Sequence, residues 1–369
     1  MSERTDALYQ TLAQLTALDG VSGFEQPVVR AMRDALTPLV DDIEIDTMGN
    51  VYALKRGGDG PRLMISAHSD EIGAVVKSIE PSGFLRFDTL GGVIPALLNG
   101  RRVRVGGHLG VIGCKSGHLQ SPEEQKRVVP PDELYIDVCA DSAAEVVAMG
   151  IEPGTPVAYH SPLMRFARHD RVCGKAIDNR IGCAIVLETM RELAEVDLPG
   201  DLLATICVQE EIGLRGAQVA GFHAQPDCAV VVDTFMSGDT PDVDRYRELA
   251  AAIGEGPVLL LANSAHMGHP GMHRHLRSAA ERAGVPLQPT TLVGKAGTDA
   301  GTIYLSGHGV PTAGLGLARR YSHSPVCTLD LNDADGAVAV LCEMARGMQS
   351  SLDLSFLGDG SSGRKSSQA

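Results

Sequence analysis

RLMISAHSDE, residues 62–71, is an apolar run of strand formers that breaks at once into an imidazole and two carboxylates. Two later stretches repeat the design: LLATICVQEE (202–211) ends in Glu210-Glu211, and CAVVVD (228–233) ends in Asp233. Short runs that are apolar at nearly every position, not at alternate ones, read as strands buried on both faces of a parallel sheet. In open parallel sheets, ligands collect beyond the carboxyl ends of the strands, where the loops diverge. Asp178, at the start of a helix read over 179–195, and His323, after a strand read over 312–317, fall on the same rim.

Working outward, helical spacing of Leu, Ala, Val and Met marks 5–18 and 25–37, and short strands are read at 43–46, 51–54 and 63–67. From about 72 to 163 the texture changes to Gly, Pro and alternating strand formers (FLRFDTLGG, RRVRVGGHLGVIG, ELYIDVCA), with one short helical candidate at 142–149. Helices alternating with apolar runs resume after Gly174, with helices at 270–284 and 332–350. The expected fold is α/β: a mostly parallel central sheet with helices on both faces, plus a β-rich insert. The expected division is a discontinuous domain over 1–71 and 164–356, an inserted domain over 72–163, and a disordered tail over 357–369.

Composition narrows the function classes. Lys and Arg total 32 against 46 Asp and Glu, a formal charge of −14, whereas nucleic-acid binders concentrate Lys and Arg. The chain has no Trp, seven Tyr and seven Phe, so it offers few of the aromatic faces on which sugars or unpaired bases stack. Its eight cysteines never form C-x-x-C, and several sit in apolar runs, as buried hydrophobes do. The N-terminus lacks a basic and apolar leader, and no stretch approaches the roughly 18 apolar residues of a membrane helix. A cytoplasmic protein without nucleic-acid or membrane partners is expected.

Each rim residue alone has an ordinary reading: Asp178 as a helix cap, Asp233 as a turn former, Glu210-Glu211 as a solvated pair, His68 beside Asp70 as a surface pair. Together on one edge, with His323 in reach, they are a metal-type donor set. Imidazole and carboxylate suit Zn²⁺, Co²⁺ or Mn²⁺. One ion needs three or four donors, so this surplus fits two ions about 3.5–4 Å apart with one bridging carboxylate. Without cations, so many carboxylates would repel one another.

These residues lie in SAHSDEIG (66–73), GKAIDNRIG (174–182), VQEEIGLRGA (208–217), VDTFMSGDTP (232–241), GTDAG (297–301) and RYSHSP (320–325). In that order they resemble metallopeptidase family 42, the cytoplasmic dinuclear aminopeptidases that form tetrahedral (TET) particles, with glutamyl, leucyl and lysyl types. The resemblance covers essentially the whole chain except the tail and implies a zinc-exopeptidase-like fold. It implies one metal on His68 and Asp233, the other on Glu211 and His323, with Asp178 bridging, and Zn²⁺ or Co²⁺ as the ions. By the same resemblance Glu210 is the general base and acid, Asp70 orients His68, and Gly297, Thr298 and Asp299 lie on the substrate side. It further implies short peptide substrates and self-association through the 72–163 insert into dimers and a dodecamer. Asn179 stands where many relatives have a second Asp, so its surroundings are expected to differ while metal binding is kept.

Three competing readings remain beside the aminopeptidase. An amidohydrolase acting on N-acyl amino acids would use the same dimetal site. A glycan hydrolase needs carboxylates flanking the bond and usually aromatic platforms, against which the missing Trp counts. A non-catalytic assembly module would be expected to lack ligands that are all present here. His266, His269, His273 and His275 fall close together; they read as a residue before a helix and solvated helix positions, not as a further metal site, and His108 reads as structural.

Overall fold

The computed structural model describes residues 2–167, 170–349 and 352–357. Its strands in chain order are β1 Asp42–Ile45, β2 Val51–Lys55, β3 Gly60–His68, β4 Gly73–Ile79, β5 Leu85–Leu90, β6 Arg102–Val105, β7 His108–Gly113, β8 Tyr135–Asp137 and β9 Pro156–Tyr159. They continue as β10 Met164–Arg165, β11 Arg171–Gly174, β12 Gly200–Cys207, β13 Cys228–Met236, β14 Val258–Asn263, β15 Gln288–Leu292, β16 Thr312–Arg319 and β17 Cys327–Asp330. The helices are α1 Glu3–Ala17, α2 Gln26–Leu36, α3 Ala143–Ala148, α4 Ile177–Leu193, α5 Arg215–Ala224, α6 Pro270–Ala283, α7 Ala300–Ile303 and α8 Leu331–Arg346.

The central sheet has eight strands in the order β1-β2-β12-β3-β13-β16-β14-β15. Alternate residues of its strands feed two cores, as the period of two requires. Leu63, Ile65 and Ala67 of β3 join Val230 and Val232 of β13 against α1, α2, α4, α6 and α8, while Met64, Ala229 and Val231 face α5 and α7. Helices therefore cover both faces, and the inner strands β12, β13 and β16 are buried along nearly their whole length while the edge strand β1 is exposed.

The sheet is mixed, with four parallel and three antiparallel pairings. β12, β3, β13 and β16 run parallel and carry the site, but β1/β2, β2/β12 and β14/β16 are antiparallel. The reason lies in the connections. The short turn between β1 and β2 can join only antiparallel neighbours, because a parallel step needs a crossover of a dozen or more residues. The segment between β13 and β14 contains no helix to carry such a crossover. β14, β15 and α5 went unread.

Strands β4, β5, β8, β7, β6 and β9 close into a barrel within the stretch read as an insert. It has its own core, including Val76, Phe87, Val103, Ile112, Ile136 and Val157, with Val146 of α3. A separate sheet, β10-β11-β17, pairs Gly174 with Cys327, tying the approach to α4 to the chain just past His323. The tail expected over 357–369 lies outside the described residues except for Leu357, which is exposed.

One buried cation joins these parts. Arg180 on α4 is fully buried and donates to the carbonyls of Leu15 and Ser69 at 2.7 Å and of Gly20 at 3.3 Å, with Glu71 Oε1 3.4 Å away. Lys175 Nζ meets the same Glu71 oxygen at 2.7 Å. The guanidinium's fixed fork suits several acceptors at once, and it holds the β3 end, the α1 exit and α4 in one frame. Arg180→Met strands these acceptors and is expected to cost about 3–5 kcal/mol, read as a lower urea midpoint; an unchanged midpoint would remove Arg180 from this role.

Candidate metal centre

Parallel register aligns the strand ends. His68 pairs with Cys207, placing Glu210 and Glu211 just beyond it, and β13 lies on the other side of β3 with Asp233 near its end. Asp178 comes from the first turn of α4, where Ala176 in the left-handed conformation, not Asp178, occupies the cap position. His323 sits in the loop after β16, itself at φ 52°.

His68, Asp178, Glu210, Glu211, Asp233 and His323 line one cavity of about 570 Å³. His68 Nε2 lies 3.5 Å from Asp178 Oδ1, 3.7 Å from Asp233 Oδ1 and 4.0 Å from Glu210 Oε2. His323 Nε2 lies 3.5 Å from both Asp178 Oδ2 and Glu211 Oε2. Two candidate metal-holding groups result, His68/Asp178/Asp233 and Asp178/Glu211/His323, with Asp178 in both. Donors about 2.1 Å from a tetrahedral ion stand about 3.4 Å from one another, so these separations fit. Glu211 Oε1 is buried with no hydrogen-bond partner among the described residues, an acceptor left for a cation.

Asp70 is fully buried outside the cavity. It accepts from the Ser22 hydroxyl at 2.6 Å and from the Glu210 and Glu211 backbone N–H groups at 3.0 and 3.1 Å, and lies 3.3 Å from His68 Nδ1. It therefore holds the Glu-Glu turn by two backbone hydrogen bonds, with Oδ1 beside the His68 imidazole. Asn179, also fully buried, donates Nδ2–H to the Val232 carbonyl at 2.8 Å and accepts the Gly182 N–H at 3.0 Å. An amide serves both partners; an ionised Asp could not donate to Val232.

Of the residues read as substrate-side, Gly297 lines the cavity, while Thr298 and Asp299 are buried and do not line it, the Asp299 carboxyl lying near enough to His68 and Asp233 to feel their charges. Asp299 stands at the α7 cap position, where its carbonyl accepts from the Thr302 and Ile303 N–H groups but its side chain does not bond the helix. His266 is not a solvated helix position: it is buried against the Tyr304 ring edge, before α6 begins. His269 caps α6 through Nδ1, and His108 donates Nε2–H to the Met149 carbonyl.

Sequence reasoning missed Arg319, buried at the end of β16 with its guanidinium 2.6 Å from Asp178 Oδ2. The available signal was a charged residue closing an otherwise apolar strand. It also missed Thr234, whose hydroxyl donates to Asp178 Oδ1 at 2.9 Å, and Gly92 and Ile94, which reach the cavity from the barrel.

Burial and mutual repulsion govern the titration. Burial raises the Glu210 carboxyl well above its usual value, with Asp233 and Glu211 adding to it against His68. Burial and then Asp178 push Glu211 up to about 8, and burial raises Asp233. Asp178 goes the other way: despite burial, Arg319 and then the two imidazoles hold it well below the carboxylate range. Burial opposes a charge on His68, but Glu210, Asp178, Asp233 and Asp70 outweigh it and raise its value. The cluster holds more carboxylates than it can ionise by itself, which is the donor chemistry of a cation site.

A model of the M42 glutamyl aminopeptidase family matches residues 49–340. The glutamyl aminopeptidase of Lactococcus lactis is 32% identical over 334 residues, covering 88% of this chain and 92% of its own. The lysyl aminopeptidase of Pyrococcus furiosus is 31% identical over 336 residues, covering 89% of this chain and 94% of its own. Among solved structures, the Pyrococcus horikoshii TET1 peptidase, which can assemble into a tetrahedron or a large octahedral shell, superposes with a TM-score of 0.82 at 30% identity, covering 92% of this chain and 99% of that one.

A carboxyl whose folded value exceeds its unfolded one stabilises the fold only at low pH, and that stability is lost as pH rises through the folded value. For Glu211 the window runs from 4.5 to about 8, and the raised His68 acts in the same direction. Chelator-stripped protein is therefore expected to lose stability from about pH 5 to 8, with Glu211→Gln flattening the fall; a urea midpoint that rises across this window would refute the assignment.

Proposed function

Since the chain belongs to the M42 glutamyl aminopeptidase family and is a peptidase, we propose that it removes N-terminal residues from short peptides using two divalent ions. The observation that carries this is the pair of donor groups sharing Asp178 on one cavity, with Glu210 beside them. In this reading His68 and Asp233 hold one ion, Glu211 and His323 the other, and Asp178 bridges. The nitrogen and oxygen donors suit Zn²⁺ and Co²⁺ alike. Bound there, the ions would lower the pKa of water and polarise the substrate carbonyl.

The remaining work falls to the chain. Glu210 takes a proton at its carboxylate and returns it to the leaving amine. Glu210 Oε2 faces His68 Nε2 whereas Glu211 Oε2 faces His323 Nε2, so the two neighbours can take different tasks. Asp70 keeps His68 Nε2 directed at the donor group through its neighbour Nδ1. The carboxylate-rich rim attracts a free α-ammonium, which favours cleavage at the N-terminus over cleavage within a chain. Relatives named for acidic and for basic residues lie equally far from this chain, so the preferred residue depends on the cavity wall around Met236, Lys295 and Gly297.

We further assign residues 1–71 and 164–356 to the catalytic domain and 72–163 to an inserted domain that mediates self-association. Exposed Leu109, Val111, Leu119, Val128 and Val147 on or beside the barrel, and the shells formed by the TET1 relative, support this. Eight unpaired cysteines support a reducing cytoplasm, and native protein extracted with disulfides would count against it.

Glu210→Gln is expected to lower turnover of aminoacyl-anilides by about 10²–10⁴-fold while leaving two ions bound per chain by metal analysis. Full activity would remove Glu210 from the mechanism. Release from N-acyl amino acids with none from free peptides would move the site to the amidohydrolase reading. Leu109→Asp with Val111→Asp should reduce the particle size seen by light scattering, and an unchanged size would place the contacts elsewhere.

A further inference from the structure

The barrel reaches into the metal centre at one point. In the turn after β5, the Gly92 carbonyl accepts a hydrogen bond from His323 Nδ1 at 2.9 Å. A carbonyl can only accept, so Nδ1 carries the proton and the Nε2 lone pair is left facing Asp178 Oδ2 and Glu211 Oε2. The turn is pressed close: a Cβ on Gly92 would stand 2.6 Å from Nδ1 and 2.8 Å from Cε1 of that ring, and one on Gly91 would stand 3.3 Å from Glu211 Cβ. His323 lies in a loop and its side chain is 29% exposed, so packing from its own segment holds it only partly.

We propose that the inserted barrel completes the metal centre, with the Gly92 carbonyl as a positioning group that sets the tautomer and direction of His323. This rests on the reading that Asp178, Glu211 and His323 hold an ion. A partner on the remote nitrogen of a metal-binding imidazole typically changes metal affinity about 10–100-fold when lost. The insert then acts on the His323 group alone, because His68 in the other group is oriented from within the catalytic domain by Asp70.

Gly92 is not in the left-handed region, so alanine there adds a methyl against the imidazole without straining the backbone. Gly117, in the excursion between β7 and β8 of the same insert and also outside that region, serves as the control, because a methyl added there would meet nothing within 4 Å. Chelator-stripped protein is titrated with Co²⁺, reading bound metal per chain and the visible absorption of the bound ion. Gly92→Ala is expected to weaken one of two equivalents about 10–100-fold and leave the other, with Gly117→Ala unchanged. Replacing His323 by Nδ1-methylhistidine removes the same hydrogen bond without changing the barrel's sequence, and should reproduce the loss even if Gly92→Ala fails to fold. Two equivalents of normal affinity in the methylhistidine protein would overturn the proposal. His323→Ala separates the two readings: if it too binds both equivalents normally, the assignment of His323 as a ligand fails instead.

Discussion

Asp178 is the residue on which the candidate centre turns, because its two oxygens face different donor groups. Oδ1 lies 3.5 Å from His68 and Oδ2 lies 3.5 Å from His323, so any shift of the carboxylate disturbs both. Most of what surrounds it serves to hold it. Thr234 donates to one oxygen and Arg319 pairs with the other, and Asn179 ties the first turn of α4 to the Val232 carbonyl, next to Asp233. Asp178 is also the one carboxylate of the rim held well below its usual value, with Arg319 the leading cause, so it stays charged where Glu210 and Glu211 resist ionisation.

That contrast gives the rim a division of labour from burial and charge alone. Repulsion among carboxylates at the strand ends is relieved partly by Arg319 and the imidazoles and is left for cations to relieve further. Behind the rim, Asp70 and the Arg180–Glu71–Lys175 cluster fix the loops from which the donors project. Neutral alternatives would pack there, but they would not supply so many backbone carbonyls with donors at once.

The strand ends were legible because apolar runs breaking into carboxylates leave a mark in one dimension. His68, Glu210, Glu211 and Asp233 all lie within a few residues of a buried strand, and a parallel sheet puts such ends on one edge. Asp178 and His323 were weaker signals, since each depends on a loop or a helix start, and the ordered set of motifs reinforced them. The barrel's texture was visible, but its closure was not, because strand pairing across β4 and β9 joins distant segments. Arg319 went unread; only folding shows that it is buried on Asp178 while Arg320 pairs with Asp239 at the surface side.

By itself, then, the sequence determined the kinds of donor, their order, and the alternation of helices and buried strands that places them at a common rim, because residue type and hydrophobic spacing are local properties. The tertiary structure decided what depends on distance between remote segments. It made the sheet mixed at its flanks, put both donor groups on Asp178, buried Asp299 and His266, and brought Gly92 from the barrel to the imidazole of His323. Hydrogen-bond partners and charge neighbours far apart in the chain leave no periodicity to read, and here they set the tautomers and ionisation on which the proposed chemistry relies.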